Sequence, residues 1–446
     1  MNIEDLPPHL QTLLQYPSFP VHIGEATIEG LGEVSGPKKD FSREINAHFG
    51  HPLADTPLTT FRAFVFATIT GRCIVALRGD RKRFSRNFGS NLVVRGEYER
   101  RAFTFTAPRF YCRRAPGWGS GEEWVLFEPI NEPAEIKYEP FSAVAEVRVL
   151  QLNFCIQLDD LDRDKSLSVT AAGKTITFLP APMAGELVRL MDVEAIESAP
   201  TSEVRFKTWR GCIESDLSCF AWQVCRFCGL VAQQQTNASQ LTLIGQDGLA
   251  TKTEFYAPMR SDFRDRYLLI GLDFAENGLN QLFSECFDEY TKIESDSGWR
   301  RLFNTAWSYD DGVYLENRVG TLLGSVELLI RTSLVERNLF TRAETESKFL
   351  PELVGLAKKM LKWDIPNHYI KPAKLYILRN AIAHANPLPY TPQEILHMQQ
   401  KWGLFLNRRL LIRLGYTGQI RSASWGYSSF SKVDDFSEEE NSFAAK

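Results

Sequence analysis

LENRVGTLLGSVELLIRTSL, residues 315–334, carries the periodicity that decides the fold of the C-terminal third of this chain. Leu315, Val319, Leu322, Val326, Leu329, Ser333 and Leu334 mark it, three or four positions apart as far as Ser333, and Leu323 and Ile330 widen the stripe. That spacing holds side chains on one face of an α-helix. Helical patterning begins upstream, after Gly278, with LNQLFSECFDEYTKI and GWRRLFNTAW. Downstream, a second bundle helix is predicted from Glu352 to Trp363, ended by Ile365-Pro366-Asn367. A third starts with Pro372 in its first turn and runs through Ala385, stopped by Asn386-Pro387-Leu388-Pro389. The fourth takes Thr391 as N-cap and Pro392 as first helical residue, with Ile395, Met398, Trp402, Phe405, Leu406 and Leu410 as its stripe. Short connections between such helices predict an antiparallel bundle.

Between Val21 and Leu179 the pattern is different. Short runs rich in β-branched and aromatic residues, among them FRAFVFATI, CIVALR, NLVVRGEYE, AFTFTA, AVAEVRVLQLNFCIQL and KTITFLP, alternate with SGPKK, RGDRKR, APGWGSGEE and TAAGK. These are strands and glycine- or proline-bearing turns, and they predict an antiparallel sandwich or barrel-like region. Leu217, Phe220, Val224, Phe227 and Val231 then mark one amphipathic helix, and QLTLIGQ reads as a further strand. The fold class is therefore α+β. We divide the chain into a β-rich sensor or regulatory region (1–200), a helix-plus-strand extension packing on it (201–277), a helical domain (278–420) and a tail (421–446). The tail reads as disordered because VDDFSEEENSFAAK has no periodicity and many acidic residues.

With 446 residues, 44% hydrophobic and 24% charged, the chain has the composition of a globular protein with more than one core. MNIEDLPPHLQ lacks the basic-then-apolar order of an export signal, and no apolar run reaches the roughly 20 residues of a membrane span. A cytoplasmic location is expected, with no membrane partner. A net charge of −4 argues against coating nucleic acid by bulk electrostatics.

Local charge is another matter. Residues 352–421 hold eleven lysines and arginines against Glu352, Asp364 and Glu394, an excess of +8. Lys371, Lys374, Arg408, Arg409 and Arg413 are the candidate phosphate contacts there. Solvated helix faces are the plain alternative for each. A second basic cluster, Arg78, Arg81, Lys82, Arg83 and Arg86, falls on a turn and reads more simply as an exposed hairpin.

The third bundle helix contains Arg379-Asn380-Ala381-Ile382-Ala383-His384. Cleaving RNA at its own 2′-hydroxyl needs a base for that proton, an acid for the leaving 5′-oxygen and positive charge at the phosphate, and histidine with arginine meets all three without a metal. His384 is the candidate proton carrier and Arg379 the phosphate fork; Asn380 holds the imidazole or a phosphate oxygen. At about 100° per residue Arg379 and His384 lie about 140° apart around the helix, which favours a site shared by two chains. Arg43 and His48 repeat the spacing among turn signals, where a catalytic role is not expected.

LYILRNAIAHAN, late in a helical domain and preceded by the long helix containing VELLIR, resembles the HEPN ribonuclease superfamily, whose motif is an arginine, often a following polar residue, four to six further residues and a histidine. The β-rich region ahead of it looks like the ApeA-like group of bacterial anti-phage proteins. The resemblance implies a dimer-dependent, metal-independent endoribonuclease without cofactor. It implies tRNA or another cellular RNA as substrate, a phage-derived protein as possible trigger, and abortive infection as the outcome. Glu327, in the first bundle helix, stands where the family often has a polar residue near the site. A non-catalytic module that binds nucleotide or protein, with a ligand-sensing β region, is the alternative.

Other chemistry is less favoured. Cys212, Cys219, Cys225 and Cys228 invite a zinc reading, yet Cys225 and Cys228 fall inside an apolar helical segment, where cysteine behaves as a small hydrophobe. No GxSxG, GxxxxGK[ST] or GxGxxG occurs, and Asp159-Asp160 and Asp310-Asp311 read as caps or turns.

Overall fold

The computed structural model describes residues 22–28, 60–67, 73–80, 88–114, 122–129, 133–152, 154, 166–181, 184, 200–232, 236–256, 275–308, 315–365, 372–384, 387, 390–422 and 429–434. In chain order the strands are β1 (His22–Ile28), β2 (Thr60–Ala67), β3 (Cys73–Asp80), β4 (Phe88–Tyr98), β5 (Arg101–Arg114), β6 (Glu122–Pro129), β7 (Ala134–Glu139), β8 (Val144–Leu152), β9 (Leu167–Ala171), β10 (Lys174–Pro180) and β11 (Pro200–Lys207). Helix α1 (Glu214–Ala232) precedes β12 (Asn237–Gly245) and β13 (Ala250–Phe255). The helical half comprises α2 (Ala275–Glu294), α3 (Ser297–Ser308), α4 (Leu315–Glu336), α5 (Arg342–Glu346), α6 (Leu350–Lys359), α7 (Pro372–Ala383) and α8 (Pro392–Leu414), followed by the hairpin β14 (Gln419–Ser422) and β15 (Ser429–Lys432). The protein is thus mixed α+β, with a large antiparallel sheet in its N-terminal half and helices in its C-terminal half.

Two compact units divide the chain. The first holds residues 1–165, 178–222 and 237–260, and the second 166–177, 223–236 and 261–446. In the first, strand order runs β4-β1-β2-β3-β6-β5-β7-β13-β12-β8-β11, and β4 also pairs with β5. That extra pairing closes six strands into a ring. The length of β5 makes this possible. One of its edges lies along β4 from Arg101 to Tyr111, while the other meets β7 at 102–106 and β6 at 110–114. Alternation supplies the core: Phe103, Phe105 and Ala107 on β5 join Leu92 and Val94 on β4, with Val65, Val75 and Ile136 from neighbouring strands. The expectation of strands in NLVVRGEYE, AFTFTA and QLTLIGQ matches β4, β5 and β12. Strands β1, β6, β7, β9, β11 and β13 fall outside the stretches that the sequence pattern picks out.

The first half of α1 packs in this unit, with Phe220 edge-on to Phe206 at 5.0 Å between ring centres and Trp222 edge-on to Tyr256 at 4.8 Å. The remainder of α1 belongs to the second unit, where Phe227 meets Phe283 and Phe287 of α2 at 4.9 and 5.4 Å.

At the centre of the second unit α4 touches α3, α5, α6, α7 and α8. Its burial is nearly all round, from Val319 and Leu322 to Ser325, Glu327 and Ser333, which is why its stripe spreads beyond a single face. Helix α6 stops at Lys359, earlier than Trp363, because Lys362 takes a left-handed φ of 57° and the Trp363 amide turns back to the Ala357 carbonyl. The cap on α8 forms as read: Thr391 and Glu394 exchange hydrogen bonds in a capping box, with Pro392 in the first turn. At the far end, residues 429–434 depart from the tail reading. β15 pairs with β14, and Arg408 holds the Lys432 carbonyl at 2.8 Å.

Candidate functional site

Two contacts define how α7 lies on α4. Gly320 gives α7 a close approach, since a methyl group there would stand 3.3 Å from Ile382. Two turns along the same face of α4, Glu327 meets Arg379, three residues before Ile382. The helices therefore run antiparallel at this contact. Leu378 and Ala381 are buried beneath it.

The Arg379 fork is engaged twice, with Nε 3.2 Å from Glu327 Oε1 and Nη2 donating to Oε2 at 3.4 Å. Its side chain remains 38% exposed, against 6% for Glu327. Arg331, one turn further on α4, brings Nη2 within 3.6 Å of the same carboxylate and donates to the Lys348 carbonyl at 3.0 Å. Burial raises the Glu327 pKa above its ordinary value, against the pull of Arg379 and Arg331. Two arginines thus hold one buried carboxylate, and the Arg379 side chain is the more exposed of the two, 38% against 27%.

His384 sits at the C-terminal end of α7, exposed, its amide donating to the Asn380 carbonyl at 3.0 Å. Asn380 is half-buried. Positions 377, 380 and 384 share one face of the helix, and Ile377 on that face is 51% exposed. The face that carries the histidine therefore also shows a large apolar side chain to solvent.

The proposed phosphate contacts fare unevenly. Arg408 is fully buried, and its guanidinium serves the Lys432 and Val433 carbonyls, so it is not a surface ligand for RNA. Arg413 bridges Glu289 at 2.7 Å and Glu336 at 3.1 Å and lies over Trp299, so its charge is already compensated. Arg409 stacks on Trp363 and Phe405 and donates to the Asp364 carbonyl at 2.7 Å. The +8 surface is accordingly smaller than the sequence suggests. Lys371, the side chains of Lys374 and Arg78, Arg43, His48, the rest of the basic cluster (Arg81, Lys82, Arg83 and Arg86) and the Asp159 and Asp310 pairs lie outside the described residues.

A cavity of about 480 Å³ opens among α2, α3, α4, α5 and α8, with Arg331 in its lining but neither Arg379 nor His384. Cys225 and Cys228 are buried within α1, and burial pushes the Cys225 thiol up, whereas Cys219 is exposed. Among the described residues no three histidines, cysteines or carboxylates gather as a metal site, and no helix is long and apolar enough to cross a membrane. Sequence reasoning missed Arg331. Its signal was an arginine four residues after an acid set among Leu323, Val326 and Ile330.

A scan against protein-family models and searches of curated proteins and of solved structures returned no match.

Proposed function

We propose that this protein is a metal-independent endoribonuclease of HEPN type, in which Arg379 and His384 carry out transesterification at the RNA 2′-hydroxyl. The observation that carries this reading is the hold of Glu327 on the part-exposed Arg379 side chain, on the helix whose exposed end bears His384. A permanently charged group held by a buried carboxylate is pre-oriented for a phosphate, and an exposed imidazole a turn and a half away is open to exchange protons. Their angular separation and the exposed Ile377 favour a homodimer in which two copies of α7 line one cleft. In that arrangement Asn380 holds a phosphate oxygen or the imidazole. The substrate is tRNA or another cellular RNA, the β-rich unit senses a phage-derived protein, and cleavage halts translation in the infected cell.

The test expresses wild type, His384→Ala and Arg379→Ala in parallel and follows tRNA and mRNA integrity with excess chelator present. Wild type is expected to cut, and each variant to lose about 10²- to 10⁴-fold in rate. Equal cleavage by all three overturns the assignment; RNA binding without cleavage by the wild type leaves the non-catalytic module in its place.

A further inference from the structure

The cavity of about 480 Å³ is lined entirely by residues of the second unit. Helical spacing builds its walls. Positions 289, 292, 293 and 296 follow one face along the end of α2 and just beyond it, and positions 328, 331, 332 and 335 follow one face of α4. Gly298 seats the first turn of α3 against α4, since a methyl group there would stand 3.4 Å from Thr332 Oγ1. Helix α5 adds Arg342, Thr345 and Glu346, and α8 adds Arg413.

Charge in the lining is nearly balanced. Lys292, Arg301, Arg331, Arg342 and Arg413 stand against Glu289, Asp296, Glu336 and Glu346, a surplus of one cation. Each of those carboxylates is already engaged. Arg413 takes Glu289 at 2.7 Å and Glu336 at 3.1 Å, Arg342 reaches Glu346 at 3.3 Å, and Asp296 accepts from the Gly298 amide at 2.8 Å. Arg331 is held from outside the lining instead. Its Nη2 donates to the Lys348 carbonyl at 3.0 Å and lies 3.6 Å from Glu327, whose charge Arg379 shares. Among the described residues its contacts all run through Nη2, which leaves Nη1 and the buried Nε without a partner. A guanidinium fixed at one nitrogen and unspent at the others is a ready fork for one oxyanion.

Size and lining select the ligand. The volume is far more than a lone phosphate fills and lies in the range of small-molecule sites. Leu328 and Val335, both half-buried, with Ile293 and Trp299 deeper, give an apolar wall for a ring. The exposed Glu346 carboxylate offers an acceptor to hydroxyl or amino groups. We propose that this cavity binds a nucleoside monophosphate, its phosphate on Arg331 and its base against Leu328 and Val335. One surplus cation suits one phosphate. A triphosphate would set further negative charge beside Glu289, Glu336 and Glu346. The proposal concerns the cavity alone and stands whether or not the chain cleaves RNA, because neither Arg379 nor His384 lines it.

Calorimetric titration of the full-length chain with the 5′-monophosphates of adenosine, guanosine, cytidine and uridine tests the site. At least one should bind with a Kd below about 1 mM, and about tenfold tighter than its nucleoside, its triphosphate or inorganic phosphate. Arg331→Met should weaken that nucleotide about tenfold or more. Arg342→Glu reverses a charge in the lining and should weaken it about threefold, at an unchanged melting temperature because that side chain is 73% exposed. It therefore decides the matter even if Arg331→Met does not fold. His384→Ala should leave the affinity unchanged. Any of four results overturns the proposal: no monophosphate binds, the triphosphate or inorganic phosphate binds as tightly, Arg342→Glu binds as wild type does, or His384→Ala loses the nucleotide.

Discussion

The Glu327 carboxylate meets the Arg379 guanidinium across the α4–α7 contact, Oε1 to Nε at 3.2 Å, and the same carboxylate draws Arg331 to 3.6 Å. A nearly buried acid shared by two cations orients both, and it does so at a cost in desolvation.

Glu327→Gln keeps the shape and removes the charge. Losing a charge-assisted contact of about 1.5–3 kcal/mol should lower RNA cleavage by roughly 10- to 100-fold. Stability should move the other way. Because burial raises the folded-state pKa of Glu327, its contribution to stability is present below the unfolded value of 4.5 and is lost as pH rises through the folded pKa. At pH 7 the glutamine variant should therefore melt no lower than wild type. Calorimetry alongside single-turnover cleavage checks both, and a large fall in melting temperature contradicts this account.

Glu289 gives the opposite sign. The Arg413 hydrogen bond holds its carboxyl below the usual 4.5, so its stabilisation is present above that value and is lost as pH falls through the lowered pKa. Glu289→Gln should melt below wild type at pH 7, and the gap should close as pH drops below about 4.5. Melting curves from pH 7 to pH 3 measure it.

Arg408→Met should free the C-terminal hairpin, since the buried guanidinium holds the Lys432 and Val433 carbonyls. Limited proteolysis is expected to cut between β14 and β15 faster in the variant. RNA affinity at constant salt should be unchanged if the fold is intact, in contrast to a loss expected of a phosphate contact.

Gly245→Ala places a methyl group 2.6 Å from Ser142 Cβ, inside any real contact distance. The loops must shift, at a cost of about 1–3 kcal/mol in denaturant unfolding.

Much of this fold is legible in the residues themselves. Thr391, Pro392 and Glu394 announce the start of α8 because a cap is satisfied within one turn of helix. The stripe from Val319 to Leu334 announces α4 in the same way. The closure of β5 onto β4, and its division between β6 and β7, is not visible there, because a strand's pattern names its faces and not its edge partners. Helix α5 is too short for a period to stand out.

The candidate site divides along the same line. Sequence alone determined that Arg379, Asn380 and His384 ride one helix at a set angular spacing, since that follows from local geometry. Which arginines face a ligand was decided only by tertiary structure. Arg408 and Arg409 are neighbours of one residue type, yet one is sealed under the C-terminal hairpin and the other stacks on Trp363. Arg413 is compensated by Glu289, 124 residues away, and Arg379 is oriented by Glu327, 52 residues away. An arginine's role depends on the acceptors within a few ångströms of its fork, and chain folding, not chain order, brings those acceptors there.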